Sequence, residues 1–394
     1  MPFKLPPLQS VGRVMTSYVK VLAWGGAMML GLPGCHSMGK SAEGERRSRM
    51  ERSPQWHEGK FTNPRERTQA SRFSLLKEMV FGQPAERSPA DKIPVQTRQR
   101  KDFDQAPELR TTWLGHSTLL VEIEGKRLLI DPVWGERASP VSFAGPLRWY
   151  PPPLPWEELP EIDAVLISHD HYDHLDHFTV LKLAARGVQW IVPLGVGAHL
   201  ESWGVTPQNI VELDWWEAHE LAGLTITATP ARHFSGRGLL DHESTLWCGF
   251  AIAGLRRRVY YSGDTALFDE MSAIGERLGP FDLTMIEVGA YDRHWVDVHL
   301  GPEQAVRAHQ LVRGKIFLPV HWGLFSLAFH SWTEPMERVL VAAQEHNIPV
   351  AVLRPGESIV PPDLPAMTRW WPKTVWRSGE ADPIQSSGVE HLMR

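Results

Sequence analysis

The pattern of apolar and polar residues predicts a run of short strands and helices from about residue 105 onwards. A β-hairpin is predicted where Leu119–Ile123 and 127–130 flank the polar turn 124–126. Further apolar runs with the length of buried strands lie at 163–168, 189–193, 209–213, 224–229, 246–252, 257–262, 282–288, 315–320 and 349–353. Helical spacing of apolar residues occurs between them, at 176–186, 264–278, 302–312 and 334–346. Strands in runs that later alternate with helices predict two sheets covered by helices, an αββα sandwich.

The N-terminal segment has the pattern of an export signal. Arg13 and Lys20 precede an apolar run at 21–32 that is short for a membrane span. The run ends in Leu32-Pro33-Gly34-Cys35, which resembles the bacterial lipobox, although proline is unusual there. We therefore expect a lipoprotein-type signal peptide at 1–34 and a lipid anchor on Cys35; an uncleaved anchor and an ordinary secretory signal are the alternatives. An aspartate after the lipidated cysteine holds such lipoproteins in the inner membrane, but this chain has His36 at that position. The expected location is therefore the bacterial cell envelope, facing the periplasm or on the outer membrane if the source has one.

The segment 35–104 is polar and rich in basic residues, which favours a linker or a loosely docked arm. One stretch within it, 73–81, has the spacing of a docking or membrane-facing helix. The basic arm can contact an anionic membrane surface or act as a solvated tether. The pattern of short strands and helices spans 105–362, where we expect one domain, and the polar tail 363–394 is expected to be peripheral.

Charge is distributed unevenly along the 394 residues. The net charge of −5 combines +3 in residues 1–35, +7 in residues 36–101 and −15 in the remainder. An acidic body argues against a nucleic-acid binder, whose footprint is basic. Of the two cysteines, Cys248 lies in an apolar strand and is expected to be a core thiol.

A cluster of metal-binding residue types follows the apolar segment 164–167. His169, His171, Asp173 and His174 fall within six residues. Because alternate residues of an extended chain point to the same side, the first three can converge. Imidazole nitrogen and carboxylate oxygen are ligands for zinc. Isolated histidines usually have no such role, but packing does not require this cluster, and it would be costly to hold together without a cation.

Three more residues with metal-binding side chains follow later predicted strands. His233 comes after the strand at 224–229, Asp264 after 257–262 and His321 after 315–320. Gly263 lets the backbone approach the site beside Asp264. Each position alone is a weak signal, but their order after the first cluster indicates a site for two metals.

This order resembles the metallo-β-lactamase superfamily: H-x-H-x-D-H, then His, then Gly-Asp-Thr, then His. Flanking segments narrow the resemblance to N-acylphosphatidylethanolamine-hydrolysing phospholipase D and its bacterial relatives over roughly 105–360. These segments are 112–118, 130–133, 138–140, 162–169, 212–216, 289–291 and 320–323. The resemblance implies that His169, His171 and His233 bind one zinc, that Asp173, His174 and His321 bind the other, and that Asp264 bridges the two.

The resemblance also places further residues near the site. His116 and His299 match family histidine positions, where each orients a metal ligand or contacts the phosphate. Asp131 matches a position suited to hydrogen bonding with a ligating histidine. We therefore expect Asp173, Asp264, His116 and His299 to take part in catalysis.

The function expected from this resemblance is a zinc-dependent phosphodiesterase. Two metal ions about 3.5–4 Å apart share a hydroxide, because coordination lowers the pKa of water from about 15.7 towards about 7. The expected substrate is N-acylphosphatidylethanolamine or another acyl-bearing phosphodiester, and the resemblance suggests a homodimer. The alternatives are a lactonase or other acyl hydrolase of the same superfamily and, less favoured, a non-catalytic envelope protein that binds lipid or a partner.

Two further features bear on the substrate. Arg232 and Arg237 flank His233 and either approach an anionic substrate or lie solvated at the surface. The apolar segment 322–329 follows His321 directly, so it either lines the site or forms a buried loop.

Overall fold

The computed structural model describes residues 36–68 and 86–393, in which fifteen strands form two large sheets and one small hairpin. The predicted signal peptide, Cys35 and the predicted helix 73–81 lie outside the described residues. The strands are β1 (Trp56–His57), β2 (Lys60–Phe61), β3 (Leu109–Trp113), β4 (Leu119–Ile123), β5 (Lys126–Ile130), β6 (Ala164–Leu166), β7 (Gln189–Pro193), β8 (Ile210–Leu213), β9 (Ala218–Leu221), β10 (Leu224–Thr229), β11 (Gly249–Ala253), β12 (Arg258–Tyr261), β13 (Leu283–Glu287), β14 (Phe317–Val320) and β15 (Ser358–Ile359). The described α-helices are Gly44–Glu51, His177–Ala184, Val196–Ser202, Glu270–Leu278, Pro302–Leu311 and Glu334–Glu345.

The first large sheet has the order β15-β3-β4-β5-β6-β7-β8. Its strands pair antiparallel from β15 to β5 and parallel from β5 to β8. The predicted hairpin is β4–β5, in which Ile123 pairs with Lys126. The parallel strand β6 ends at Leu166, and His169 follows it at that edge of the sheet.

The second large sheet has the order β14-β13-β12-β11-β10-β9. It is antiparallel from β9 to β12 and parallel from β12 to β14. Thr229 at the end of β10 pairs with Gly249, and Phe250 pairs with Tyr261 at the end of β12. The carboxyl ends of β10, β12, β13 and β14 therefore share one edge, where the later candidate ligands follow.

The core lies in layers because both faces of each sheet are covered. Leu119 and Val121 of β4 join Ile226 of β10 in the cluster between the sheets. Leu120 between them points to the opposite face and packs in a second cluster with Leu183 of a covering helix. Apolar residues on both faces of a strand are expected where helices cover the sheet. The predicted αββα sandwich is confirmed.

Two predicted elements differ from the structure. The predicted helix 264–278 begins only at Glu270, because Asp264 and the residues after it lead out of the site. The predicted strand 349–353 is wrong: within it Val350 forms only an isolated bridge with Phe317.

The segment 36–68 packs against the domain, so the linker interpretation is wrong for these residues. Met50 of its helix and Phe61 of its hairpin are buried in the core between the sheets. Arg46 forms an ion pair with Glu212 at 2.6 Å. The polar composition of this segment reflects ion pairs with an acidic domain as well as contact with solvent.

The tail, expected to be peripheral, lies on the surface of the domain over its described part, 363–393, and buries single side chains there. Trp371 is buried, and its ring lies edge-on to Trp322 with 5.4 Å between centroids. The amide of Ser387 donates a hydrogen bond of 2.8 Å to Asp297. The tail therefore covers residues close to the candidate site.

The described part of the chain contains no helix that is both long and apolar enough to span a bilayer. Cys248 is buried without a disulfide, and burial raises the pKa of its thiol well above its ordinary value. This agrees with its expected place in the core.

Candidate metal centre

All seven predicted ligands converge where the two sheets present their carboxyl-terminal edges. One group of ligand atoms within 4.8 Å of one another comes from His169, His171, His233 and Asp264. A second comes from His116, Asp173, His174 and His321. The division between groups matches the ligand sets that the resemblance implied, with His116 added to the second.

In the first group, three imidazole nitrogens face one another. Nε2 of His169 lies 2.9 Å from Nδ1 of His171, and Nε2 of His233 lies 3.3 Å from the same atom. Nδ1 of His233 donates to the carbonyl oxygen of Val298 at 2.8 Å, so its Nε2 carries a lone pair. Lone pairs converging on one point leave a position for a cation.

At the second group, the carboxylates of Asp173 and of Asp264, a member of the first group, lie among imidazoles. Oδ2 of Asp264 lies 2.9 Å from Nε2 of His321 and 3.2 Å from Nε2 of His174. Oδ2 of Asp173 lies 3.4 and 3.5 Å from the same two nitrogens. Burial by itself raises the pKa of Asp264, but His174 and His321 hold it well below its ordinary value. Asp264 is therefore an anion, and it lies between the two groups.

Several atoms of this cluster lack a hydrogen-bond partner although they are buried. They include Nε2 of His174, Nε2 of His321 and Oδ1 of Asp264. Buried polar atoms are rarely left unpaired, because each costs free energy. These orphan atoms fit metal coordination, so the donor set suits a divalent metal that takes nitrogen and oxygen ligands.

One buried carboxylate orients ligands of both groups. Asp131 accepts hydrogen bonds from Nδ1 of His174 at 2.7 Å and from the backbone amide of Ser168 at 2.7 Å, as well as from the hydroxyls of Ser168 and Tyr261. The Ser168 oxygen lies 2.9 Å from Nδ1 of His169. These bonds fix Nε2 of both histidines towards the centre. The geometry fits the supporting role that the resemblance implied for Asp131.

Strained backbone accompanies the site. His116, Asp131 and His321 adopt the left-handed conformation with φ of 52°, 39° and 64°. Such strain is found where the surrounding structure imposes it, and functional sites are common examples. Gly263 also has positive φ, and a Cβ there would lie 2.6 Å from the carbonyl oxygen of Cys248. The close approach that the sequence suggested at Gly263 is thus present.

The two additional histidines have different partners. Nε2 of His116 lies 3.0 Å from Oδ2 of Asp173, and burial together with the neighbouring His321 lowers the pKa of His116 to about 3. His116 is therefore neutral and positions Asp173. Nδ1 of His299 lies 2.7 Å from Oε2 of Glu287, and the ring lines the cavity above the site.

Sequence analysis missed Glu287. It ends β13, is fully buried and accepts a hydrogen bond from the backbone amide of Thr265, the residue after Asp264. Burial raises the pKa of its carboxyl above the ordinary value. One signal in the sequence could have identified it. Glu287 is an acidic residue at the end of a buried strand, and candidate ligands follow the neighbouring strands at the same edge.

Asn63 was also missed, and it holds a candidate ligand directly. Its side-chain Nδ2 donates to the carbonyl oxygen of His233 at 2.7 Å, and its Oδ1 accepts from the amide of His233 at 3.0 Å. This pair of bonds resembles the pairing of two strands. The segment 36–68 therefore takes part in building the site.

A cavity of about 960 Å³ opens above the metal ligands. Its lining includes polar side chains of the arm, such as Lys60, Asn63 and Arg67, and apolar side chains such as Trp295 and Leu327. Lys60 and Arg67 both pair with Glu243, at 2.9 and 2.5 Å. A lining that is both polar and apolar suits an amphiphilic substrate.

The two arginines beside His233 serve neither of the roles considered for them. Arg232 is buried and pairs with Asp297 at 3.1 Å. Arg237 is buried and donates to the carbonyl oxygen of Leu175 at 2.8 Å. Both hold the loops around the site in place.

Most of the apolar segment 322–329 does not line the large cavity. Within this segment, Leu327 lines the large cavity. Trp322 instead stacks on Trp113 with 5.4 Å between centroids. The first part of the segment is a buried loop, the alternative that the sequence left open.

Replacing Asn63 by alanine is expected to lower metal content and activity about 10–100-fold, because the backbone of His233 loses both of its side-chain hydrogen bonds. Bound metal, measured by plasma mass spectrometry alongside activity, checks this. Asn209→Ala, on the turn before β8, is the matched control and should behave as the wild type. Wild-type metal content and activity in Asn63→Ala would show that these two hydrogen bonds are dispensable.

Known proteins resemble this chain over much of its length. The model of a Beta-lactamase superfamily domain matches residues 126–322. An uncharacterized protein of Mycobacterium tuberculosis is 45% identical over 337 residues, which is 82% of this chain and 89% of that protein. N-acyl-phosphatidylethanolamine-hydrolyzing phospholipase D 1 of Caenorhabditis elegans is 41% identical over 273 residues, 64% of this chain and 77% of that protein.

A solved structure supports the same architecture. An isothiocyanate hydrolase from Delia radicum gut bacteria superposes with a TM-score of 0.52 at 23% identity, covering 64% of this chain and 98% of that chain. At this level of identity the similarity supports the fold alone.

Proposed function

Since this chain belongs to the metallo-β-lactamase superfamily, we propose that its two ligand groups hold two zinc ions and that it cleaves a phosphodiester bond of N-acylphosphatidylethanolamine or a closely related phospholipid. As a member of this superfamily the chain is a metal-dependent hydrolase. The observation that carries the finer proposal is the convergence of seven nitrogen and oxygen ligands beneath an amphiphilic cavity. The similarity to the worm phospholipase D supports the substrate class.

Bound zinc would supply a water of lowered pKa and positive charge for the phosphoryl oxygens. The residues of the chain organise that chemistry. Asp131 and Ser168 hold the ring nitrogens of His174 and His169 towards the centre. His116 donates to Asp173 and so fixes the orientation of its carboxylate.

His299 is suited to moving a proton to the leaving group. Its Nδ1 is bonded to Glu287, so Nε2 is the ring nitrogen left to face the substrate in the cavity. A histidine oriented by a carboxylate is a common arrangement for general acid–base catalysis. No serine or cysteine nucleophile is required in this scheme.

The lining of the cavity suits a phospholipid. Lys60, Arg67 and Glu243 in this lining can exchange their mutual ion pairs for contacts with a charged head group. Trp295 and Leu327 can contact part of an acyl chain. A retained, complete ligand set argues against a protein that only binds lipid.

We propose further that Cys35 is lipidated and that the chain faces its substrate at a membrane of the bacterial envelope. This proposal rests on the sequence before His36. The basic arm is a weaker candidate for membrane contact, since Arg46, Arg49, Lys60 and Arg67 pair with carboxylates of the domain. The homodimer remains a prediction.

Product analysis by mass spectrometry tests the reaction. Purified protein is incubated with vesicles that contain N-acylphosphatidylethanolamine. The expected products are an N-acylethanolamine and phosphatidic acid, in a ratio of one to one. Release of fatty acid, or turnover of a panel of lactones without cleavage of any phosphodiester, would contradict the proposal and favour an acyl hydrolase.

A further inference from the structure

Two loops and a helix surround the point where the chain enters the described structure. The hydroxyl of Ser37 donates to the carbonyl oxygen of Pro140 at 2.6 Å. The guanidinium of Arg237 donates to the carbonyl oxygen of Ser37 at 3.1 and 2.8 Å. The indole of Trp203 donates to the carbonyl oxygen of His36. Residues 36–37 are therefore fixed between the loop that contains Pro140 and the loop that follows Arg237.

Both of these loops expose large apolar side chains. In the first loop Phe143 is 73% exposed, and in the second Leu239 and Leu240 are 70% and 100% exposed. The second loop is ordered, because Asp241 accepts hydrogen bonds from the amides of Arg237 and Gly238 at 3.1 and 2.7 Å. The leucines are thus held out towards solvent by a structured turn.

The neighbouring helix adds to the same region. Phe178 and Leu181 of the helix His177–Ala184 are 49% and 48% exposed and lie one turn apart on one face. His177 contacts the ring of Trp203 with 5.0 Å between centroids, and Trp203 is bonded to His36. The two loops that hold residues 36–37, and the helix beside Trp203, thus each expose large apolar side chains.

We propose that Phe143, Phe178, Leu181, Leu239 and Leu240 form a docking face that inserts into the surface of a lipid bilayer. The occupant follows from the chain itself, because the apolar run 21–32 and Cys35 lie directly upstream of His36. A segment that binds lipid brings this face to the bilayer. Apolar clusters of this kind on a soluble surface mark interaction sites.

The loop that carries Leu239 and Leu240 also reaches the cavity, which gives the docking face a purpose in catalysis. Tyr172, in the first ligand motif, donates to the carbonyl oxygen of Arg237 at 2.6 Å. His242, two residues after Leu240, lines the cavity above the metal ligands. A phospholipid can thus pass from the bilayer into the cavity along one loop. This inference deepens the proposed function and rests on it for the identity of the lipid.

Binding to vesicles tests the docking face. The chain without the predicted signal peptide 1–34, carrying Cys35→Ser so that it has neither the apolar run nor a lipid, is compared with the same chain carrying Phe143→Ser, Leu239→Ser and Leu240→Ser. All three side chains are mostly exposed, so folding should be unaffected. Sedimentation with phosphatidylcholine vesicles should show a loss of binding of about tenfold or more, and this loss should persist in high salt.

The matched control carries Leu255→Ser and Val375→Ser. These side chains are 90% and 86% exposed, and Leu255 lies in the turn before β12, at the opposite end of that strand from Asp264. The control should bind vesicles as the parent chain does. Both variants should hydrolyse a soluble aryl phosphodiester at the parent rate.

The outcomes separate the docking face from the proposed function. Parent-like vesicle binding by the triple variant, equal losses in the control, or no vesicle binding by the parent would each overturn the docking face. So would a triple variant that instead loses self-association, since the face would then join two copies of the chain. Vesicle binding that depends on the face, without cleavage of any phospholipid, would support the docking face and contradict the proposed reaction.

Discussion

Replacing Asp264 by asparagine is expected to lower hydrolysis by about 10⁴-fold or more, because the variant removes the carboxylate that lies between both ligand groups. Asparagine has nearly the same size, so the protein should remain folded. Metal content should fall together with activity. Initial rates, bound metal per chain and a thermal melt of the same preparation check the three parts of this prediction.

Asp269→Asn is the control for this substitution. Asp269 lies five residues further along, half-exposed, and pairs with Arg65 at 3.2 Å. A surface ion pair contributes little, so its loss should change activity less than about twofold. An Asp264→Asn protein with near wild-type turnover would exclude a bridging role for this carboxylate.

Replacing His299 by alanine is expected to lower kcat by about 10²–10⁴-fold, the usual contribution of a positioned general acid. Metal content should stay at the wild-type level, because His299 belongs to neither of the two main ligand groups. Steady-state kinetics combined with metal analysis separates these effects. His346→Ala, at an exposed helix end, is the matched control.

Glu287 is expected to act through His299. Glu287→Gln should lower kcat, and the double variant His299→Ala/Glu287→Gln should lose little more than His299→Ala alone. Loss of metal in His299→Ala would instead make this ring a ligand, as the third cluster of Asp264, Glu287, His299 and His321 allows. Additive losses in the double variant would give Glu287 a role independent of His299.

The sandwich could be predicted because its strands are short, apolar and covered on both faces. β4 and β10 show this, since nearly every residue in them is buried. β3 carries Arg110 and two threonines among its five residues and was not predicted as a strand. Its pairing with β4 in the sheet, rather than its own pattern, makes it extended.

The arm helix Gly44–Glu51 escaped prediction for a similar reason. Its one buried residue is Met50, so no apolar stripe marks it. Its place on the domain depends on ion pairs such as that of Arg49 with Glu217 at 2.7 Å. Partners so distant in sequence leave no local signal.

The convergence of the candidate ligands could be predicted because each follows an apolar strand, and strands that end at one edge bring their next residues together. The residues that support the ligands could not be predicted in the same way. Asn63 and His233 are separated by 170 positions, and their contact exists only because the arm folds back on the domain. In the sequence, Glu287 is only the last residue of a buried strand. Its role depends on Asp264 and His299, which the fold brings close to it.

Metal reconstitution tests the central claim most directly. The protein is stripped with a chelator, and zinc is returned in known amounts while cleavage of N-acylphosphatidylethanolamine and bound zinc are measured together. We expect no cleavage without metal and full cleavage at two zinc ions per chain. Full phosphodiester cleavage by protein that contains no metal would contradict it.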